Sequence, residues 1–121
     1  MTILEGYFAQ INDYPEDEVK LCVSRTYPSF VFKGRMIHFH SFAPSQELLD
    51  GYKAGEVTWE QYTDRFKDEM RRQTPSRKNL EWLKRREREG DAIRLICYEK
   101  AEDRKCHRFI LLDLLDSMED K

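Results

Sequence analysis

Two thiols, an imidazole and a guanidinium fall close together near one end of the chain, as Cys97 and then Cys106-His107-Arg108. The thiolate is the reactive form of cysteine, and neighbouring cations or a helix N-terminus lower the pKa at which it forms. Cys106 is therefore the candidate nucleophile or redox thiol, and His107 the candidate proton relay. Arg25 and Arg108 offer guanidiniums whose paired N–H donors fit a phosphate or a carboxylate, so the expected ligand is a small anion. Cys97 joins the group by position, although a buried free cysteine at a strand end is often only a small core residue.

Two other chemistries compete for these residue types. Cys97, Cys106 and His107 could ligate a metal, with His38 or His40 as fourth donor. Eight residues separate the two cysteines, however, and zinc sites usually space theirs by two to four. The sequence therefore assigns no metal ligand and no cofactor. His38 and His40 would share one face of a strand, about 6.6 Å apart by Cα rise, as residues of a polar solvent-facing strand also do. The remaining chemistry is nucleic-acid binding. Between Arg71 and Glu89 stand eight cations, among them Arg71, Arg72, Arg77, Lys78, Arg85 and Arg86, against the three acids Glu81, Glu87 and Glu89. Phosphate contacts need such an excess, and Trp82 or Tyr27 could stack on a base. The acidic runs elsewhere and the ordinary solvation of a charged helix face weigh against it.

The candidate residues need a strand, a loop and a helix to hold them. Ile93–Tyr98 reads as a buried strand, followed by a charged loop. Beyond Arg108 the residues Ile110, Leu111, Leu114, Leu115 and Met118 recur at helical spacing, giving a core face about 100° wide. Free N–H groups and the positive dipole end gather where such a helix starts. Earlier in the chain, Thr2–Ile11 reads as a first strand or edge segment and Asn12–Glu18 as a turn. Val19–Arg25 is a second strand, stopped by Pro28, which lacks a ladder donor. Phe30–Phe42 reads as a hairpin-like loop and a short strand near Met36–His40.

The middle is helical. Ser45 caps a helix over Gln46–Lys53, ended at Gly55. Thr58 and Gln61 fit a capping box for a helix over Trp59–Arg72. There Trp59, Tyr62, Phe66 and Met70 form one apolar stripe, which belongs to the core. Ser76 would cap a third helix, Arg77–Glu89, with Leu80 and Leu83 inward and Gly90 as its stop. Helices between the Val19–Arg25 and Ile93–Tyr98 strands favour a crossover and parallel pairing. Arg25, Cys97 and the loop before Cys106 would then share a crevice at the carboxyl ends of the strands.

Composition bounds the rest. With 121 residues, 36% charged, 40% hydrophobic and a formal charge of −2, the chain reads as one small globular domain over 1–121. It is too short to add a cofactor-binding domain of its own. Net charge gives no pull toward nucleic acid or membrane. The absence of a long apolar run and of a basic-then-apolar start makes the cytoplasm the expected location, with no membrane partner. Three cysteines fit free thiols in a reducing compartment. No Gly-rich phosphate loop follows either strand and no serine elbow is flanked by glycines, which excludes Rossmann, Walker and elbow-hydrolase chemistry. Oligomeric state is not legible.

Several segments resemble a known family. Leu21-Cys22-Val23-Ser24-Arg25-Thr26-Tyr27-Pro28-Ser29 is similar to the strand and Arg-x-x-Pro opening of the domain of unknown function 488. Phe42-Ala43-Pro44-Ser45-Gln46-Glu47-Leu48 and the Trp59–Arg71 helix resemble its YeaO-like branch. Leu95-Ile96-Cys97-Tyr98-Glu99-Lys100, followed by Cys106-His107-Arg108, resembles its Cys-x-Glu strand end and returning Cys-His-Arg. Ser24 stands where the family usually carries an Asp before the Arg. The resemblance covers about residues 19–115. It implies an α/β fold and a cleft lined by Arg25, Cys97, Glu99, Cys106, His107 and Arg108, and it implies no established activity. Together these features point to a single α/β domain of three layers, a short, mostly parallel sheet flanked by helices. They favour an anion-binding, thiol-dependent enzyme, with a non-catalytic nucleic-acid or protein interaction module as the alternative.

Overall fold

A computed structural model describes residues 3–31, 34–98 and 105–118. Four strands, β1 (Ile3–Tyr7), β2 (Val19–Cys22), β3 (Ile37–His38) and β4 (Ile93–Cys97), form one sheet in the order β1-β4-β2-β3. Every pairing is parallel: β1 and β2 both pair with β4, and β3 pairs with β2. The helices are α1 (Gln46–Lys53), α2 (Trp59–Arg72), α3 (Thr74–Arg88) and α4 (His107–Ser117). This is the α/β fold that the alternation of apolar runs and helical stripes predicts.

A parallel sheet needs both faces covered, and the two covers differ in kind. On one face Leu21, Val23, Ile93, Leu95 and Cys97 pack with buried residues of all four α-helices, including Tyr62, Phe66, Met70, Leu83 and Leu111. On the other, Cys22 and Ile96 meet Phe8, Ile11, Val31 and Met36. That third layer is thin, a 3₁₀ segment over Phe8–Asp13 and the chain leading to β3. Successive side chains of a strand point to opposite faces, so Cys97 lies on the helical face and Ile96 on the other.

The caps hold the helices in register. Ser45 Oγ accepts from the Leu48 N–H at 3.2 Å. Thr58 Oγ1 accepts from the Gln61 N–H at 3.1 Å while Gln61 Oε1 accepts from the Thr58 N–H at 2.9 Å, completing the reciprocal box. Gly90 adopts φ 99° just beyond α3, in the left-handed region where a side chain would be strained.

Three segments depart from their sequence pattern. Ser76 is not a cap: α3 begins at Thr74 with Pro75 in its first turn, where a missing N–H has no consequence. Ser76 is buried inside the helix instead, its hydroxyl donating to the Ser41 carbonyl at 2.6 Å. The first strand ends at Tyr7 rather than Ile11. Phe8 and Ile11 turn in a 3₁₀ segment so that both side chains go under the sheet. The Phe30–Phe42 stretch makes no hairpin, because β3 runs parallel to β2, with Leu21 opposite Ile37 and Cys22 opposite His38. Among the described residues no helix is long and apolar enough to cross a membrane.

Candidate functional site

The central strand β4 carries Cys97 to its carboxyl end, and α4 starts at His107 with Cys106 as its N-cap residue. The two sulfurs and a ring nitrogen of His107 lie within 4.8 Å of one another. His107 Nε2 sits 2.7 Å from the Val23 carbonyl oxygen. A carbonyl only accepts, so Nε2 carries the hydrogen and donates it. In the neutral ring this leaves Nδ1 with its lone pair, 3.9 Å from Cys106 Sγ. The edge of the Phe66 ring from α2, with centroids 5.6 Å apart, packs against the imidazole. Ring orientation and tautomer are thus set by a backbone oxygen and by packing.

Arg108 is the largest fully buried side chain, 1% exposed. Its Nε donates to Glu5 Oε1 at 3.0 Å, tying α4 to β1, and its Nη1 stands 3.8 Å from Cys106 Sγ. These surroundings split the two thiols. Cys106 is held well below the ordinary thiol range, first by the hydrogen bond from Cys97 and then by His107 and the Arg108 backbone N–H, against the opposing effect of burial. Cys97 is pushed far up by its bond to Cys106, by burial and by the charge on that neighbour. Cys106 is therefore the more acidic thiol of the pair and Cys97 the less acidic. All three cysteines are free. Cys22 lies fully buried elsewhere, 3.3 Å from Ser24 Oγ, and burial raises it.

The same three donors, two sulfurs and one nitrogen, form the kind of set that holds zinc with an open fourth position. His38 and His40 do not complete it. Both are exposed, their rings 5.9 Å apart, and His38 Nε2 lies 2.8 Å from the Ser24 carbonyl oxygen. Arg25 is half-buried in the chain after β2 and donates through Nη1 to the Pro44 carbonyl at 2.9 Å. Glu99 lies outside the described residues. Cys97, Cys106, His107 and Arg108 thus come together, while the guanidinium of Arg108 serves the ion pair with Glu5 and faces the thiol from inside.

Across residues 7–119 the chain matches a family model described as the active DUF488-N3 subclade. The chain belongs to the DUF488 family. No curated protein and no solved structure matches it. The two segments carrying the Cys-x-Glu and Cys-His-Arg pattern in this DUF488 protein are the two that bring the thiols together in space.

The cationic stretch of this DUF488 protein is partly engaged. Arg72 pairs with Asp68 at 2.9 Å and Arg86 with Asp91 at 2.7 Å. Arg77 Nη1 lies 3.5 Å from the Arg71 carbonyl, while Lys78 and Arg85 are exposed on α3. Trp82 is half-buried against Phe39 with Arg86 over its ring, and Tyr27 packs edge-on to His38. Neither ring is presented as an open stacking platform.

Glu5, the Val23 carbonyl and Phe66 complete the site, and sequence reading missed all three in that role. A backbone oxygen leaves no residue-type signal. Phe66 is indistinguishable from the rest of its apolar stripe. Glu5 alone left a trace, as an acid inside an otherwise apolar segment.

Proposed function

We propose that this DUF488 protein is a thiol-dependent enzyme in which the Cys106 thiolate attacks a small electrophilic ligand and His107 Nδ1 serves as its proton acceptor. The observation that carries this reading is the use of a helix N-cap for a thiol. The position favours Ser, Thr, Asp or Asn, whose oxygen closes a free N–H group and contributes about 1 kcal/mol. Cys106 makes no such side-chain bond to the helix. Its sulfur faces Cys97, His107 Nδ1 and Arg108 Nη1 instead. An arrangement that forgoes cap energy and sets a guanidinium and a proton-accepting imidazole beside a sulfur favours its thiolate, which is the requirement of a nucleophilic cysteine. In this reading the ligand is anionic, attracted by the N-terminal end of α4, with Arg25 the candidate contact for its phosphate or carboxylate.

The test is the pH dependence of iodoacetamide alkylation of each cysteine in the folded protein with a chelator present, read by peptide mass spectrometry. Cys106 should react with a midpoint well below the free-thiol value of about 8.5. Cys22 should stay unreacted until the protein unfolds. His107→Gln should move the Cys106 midpoint upward. A Cys106 that titrates as an ordinary thiol, or reacts only on unfolding, rejects the proposal.

A further inference from the structure

A nucleophilic Cys106 leaves one neighbour unexplained. Cys97 is 7% exposed, sits at the end of the central strand, and brings its sulfur within 4.8 Å of the same sulfur that His107 approaches. For packing alone a valine or alanine would fill a strand end on the helical face of the sheet. For stabilising a thiolate alone, a serine hydroxyl would donate as well or better, since S–H is the weaker donor. A thiol adds one capacity that neither substitute has: its sulfur can displace another sulfur.

We infer that Cys97 is the resolving thiol of Cys106, and that the electrophile of this site is the sulfur of a disulfide. This rests on Cys106 being the nucleophile and goes further by naming the substrate class. The Cys106 thiolate attacks one sulfur of R–S–S–R, forming a Cys106–S–S–R bond and releasing RS⁻, which takes the proton that His107 Nδ1 had accepted from Cys106 and leaves as RSH. With the negative charge gone from Cys106, the Cys97 S–H loses its acceptor and gives its proton to Nδ1 of His107, whose Nε2–H stays on the Val23 carbonyl. The Cys97 sulfur then attacks Cys106 Sγ and expels the second RS⁻, which takes the proton from His107 and leaves as RSH. Two protein thiols are oxidised to one disulfide and the substrate disulfide is reduced to two thiols, so atoms and electrons balance. An external dithiol returns the pair to its starting state.

Three features of the fold favour this step. The two sulfurs already lie within 4.8 Å of each other. They stand on β4 and at the start of α4, elements that share one core. Cys97 is buried and Cys106 partly exposed, so an incoming disulfide meets Cys106 first and leaves the second thiol for resolution. Cys22, fully buried on the other face of the sheet, provides the control thiol within the same chain.

The experiment exposes the full chain, with chelator present, to oxidised glutathione and maps its cysteines under non-reducing conditions. It compares the native protein with Cys97→Ser and Cys97→Ala. The native protein should give a Cys97–Cys106 disulfide with little mixed disulfide, and Cys22 should stay free. Cys97→Ser keeps a hydroxyl donor toward Cys106, so its alkylation midpoint should stay low while glutathione accumulates on Cys106 at least tenfold over native. Cys97→Ala should hold glutathione in the same way, and its higher alkylation midpoint would show separately what the hydrogen bond contributes. Equal accumulation of mixed disulfide in the native protein and in Cys97→Ser overturns the inference, leaving Cys97 as a hydrogen-bond donor. Absence of any glutathione adduct overturns it too. In that case a low Cys106 alkylation midpoint would leave the nucleophile standing, whereas an ordinary midpoint would remove both.

Discussion

The two ends of β4 carry two polar clusters, one around Arg94 and one around Cys106, and they are built on opposite terms. Arg94 has every nitrogen engaged: Nε and Nη2 donate to the two Glu18 carboxylate oxygens at 2.7 and 2.8 Å, and Nη1 donates to the Glu5 carbonyl at 2.7 Å. Its guanidinium also lies 4.1 Å over the Tyr14 ring, and the Tyr14 hydroxyl accepts from the Tyr7 N–H at 3.0 Å. Such a closed, bidentate cluster stabilises a fold and leaves nothing to react with. The other cluster shares Glu5, whose carboxylate takes Arg108, but its centre is a sulfur, a poor acceptor at 3.8–3.9 Å from its cationic and imidazole neighbours. One end of the strand spends its polar groups on stability, and the other leaves a partly exposed sulfur with only distant polar neighbours.

Mutations at the first cluster should therefore harm the fold, whereas one at the sulfur of the second should not. The largest effect is expected from Arg94→Ala, which strands a Glu18 side chain that is 4% exposed. Breaking such a pair costs about 3–5 kcal/mol, measured as the fall in unfolding free energy in urea. The pair also predicts a pH dependence. Arg94 lowers the Glu18 carboxyl below its ordinary value, so its contribution is complete above the unfolded carboxylate pKa of about 4.3. That contribution is lost as pH falls through the lower folded value. Glu18→Gln should flatten the acid limb of the stability profile, and an unchanged limb would locate the acid sensitivity elsewhere.

Next in size is Gly6→Ala. A Cβ there would stand 2.6–2.7 Å from the Tyr14 ring and hydroxyl, and that ring is held in place by Arg94 and the Tyr7 N–H. Overpacking of this kind costs about 1–3 kcal/mol, readable as a lower urea midpoint with an unchanged slope. The smallest effect is expected at the reactive centre. Cys106→Ser should abolish alkylation at that position while changing stability by less than about 1 kcal/mol, because serine can make the cap bond that the thiol omits. A loss as large as that of Arg94→Ala would erase the contrast between the clusters and make Cys106 a structural residue.

Much of this architecture is visible in residue order. The Thr58–Gln61 box, the Trp59–Met70 stripe and the apolar run of β4 each satisfy a local rule, and each formed as its pattern predicts. The parallel pairing of β2 with β4 followed from the helices between them. The failures share a cause. Ser76 looks like a cap, yet the Ser41 carbonyl lies across the fold where only assembled helices put it. Phe30–Phe42 resembles a hairpin because Gly34 and its neighbours resemble a turn, while β3 is placed by an open edge of β2 that no local signal marks.

The candidate site divides along the same line. By itself the sequence determined the chemistry available at the end of β4: two thiols, an imidazole and a guanidinium, on a strand and a helix whose periods are set by the residues themselves. It could not determine what those groups would do to one another. That Cys97 and Cys106 come within 4.8 Å of each other, that the Val23 carbonyl fixes the His107 tautomer, and that Arg108 is bound to Glu5 on the edge strand were decided only by the tertiary structure. Hydrogen bonding and charge act over a few ångströms of space, and the partners of His107 and Arg108 are separated from them by 84 and 103 residues of chain.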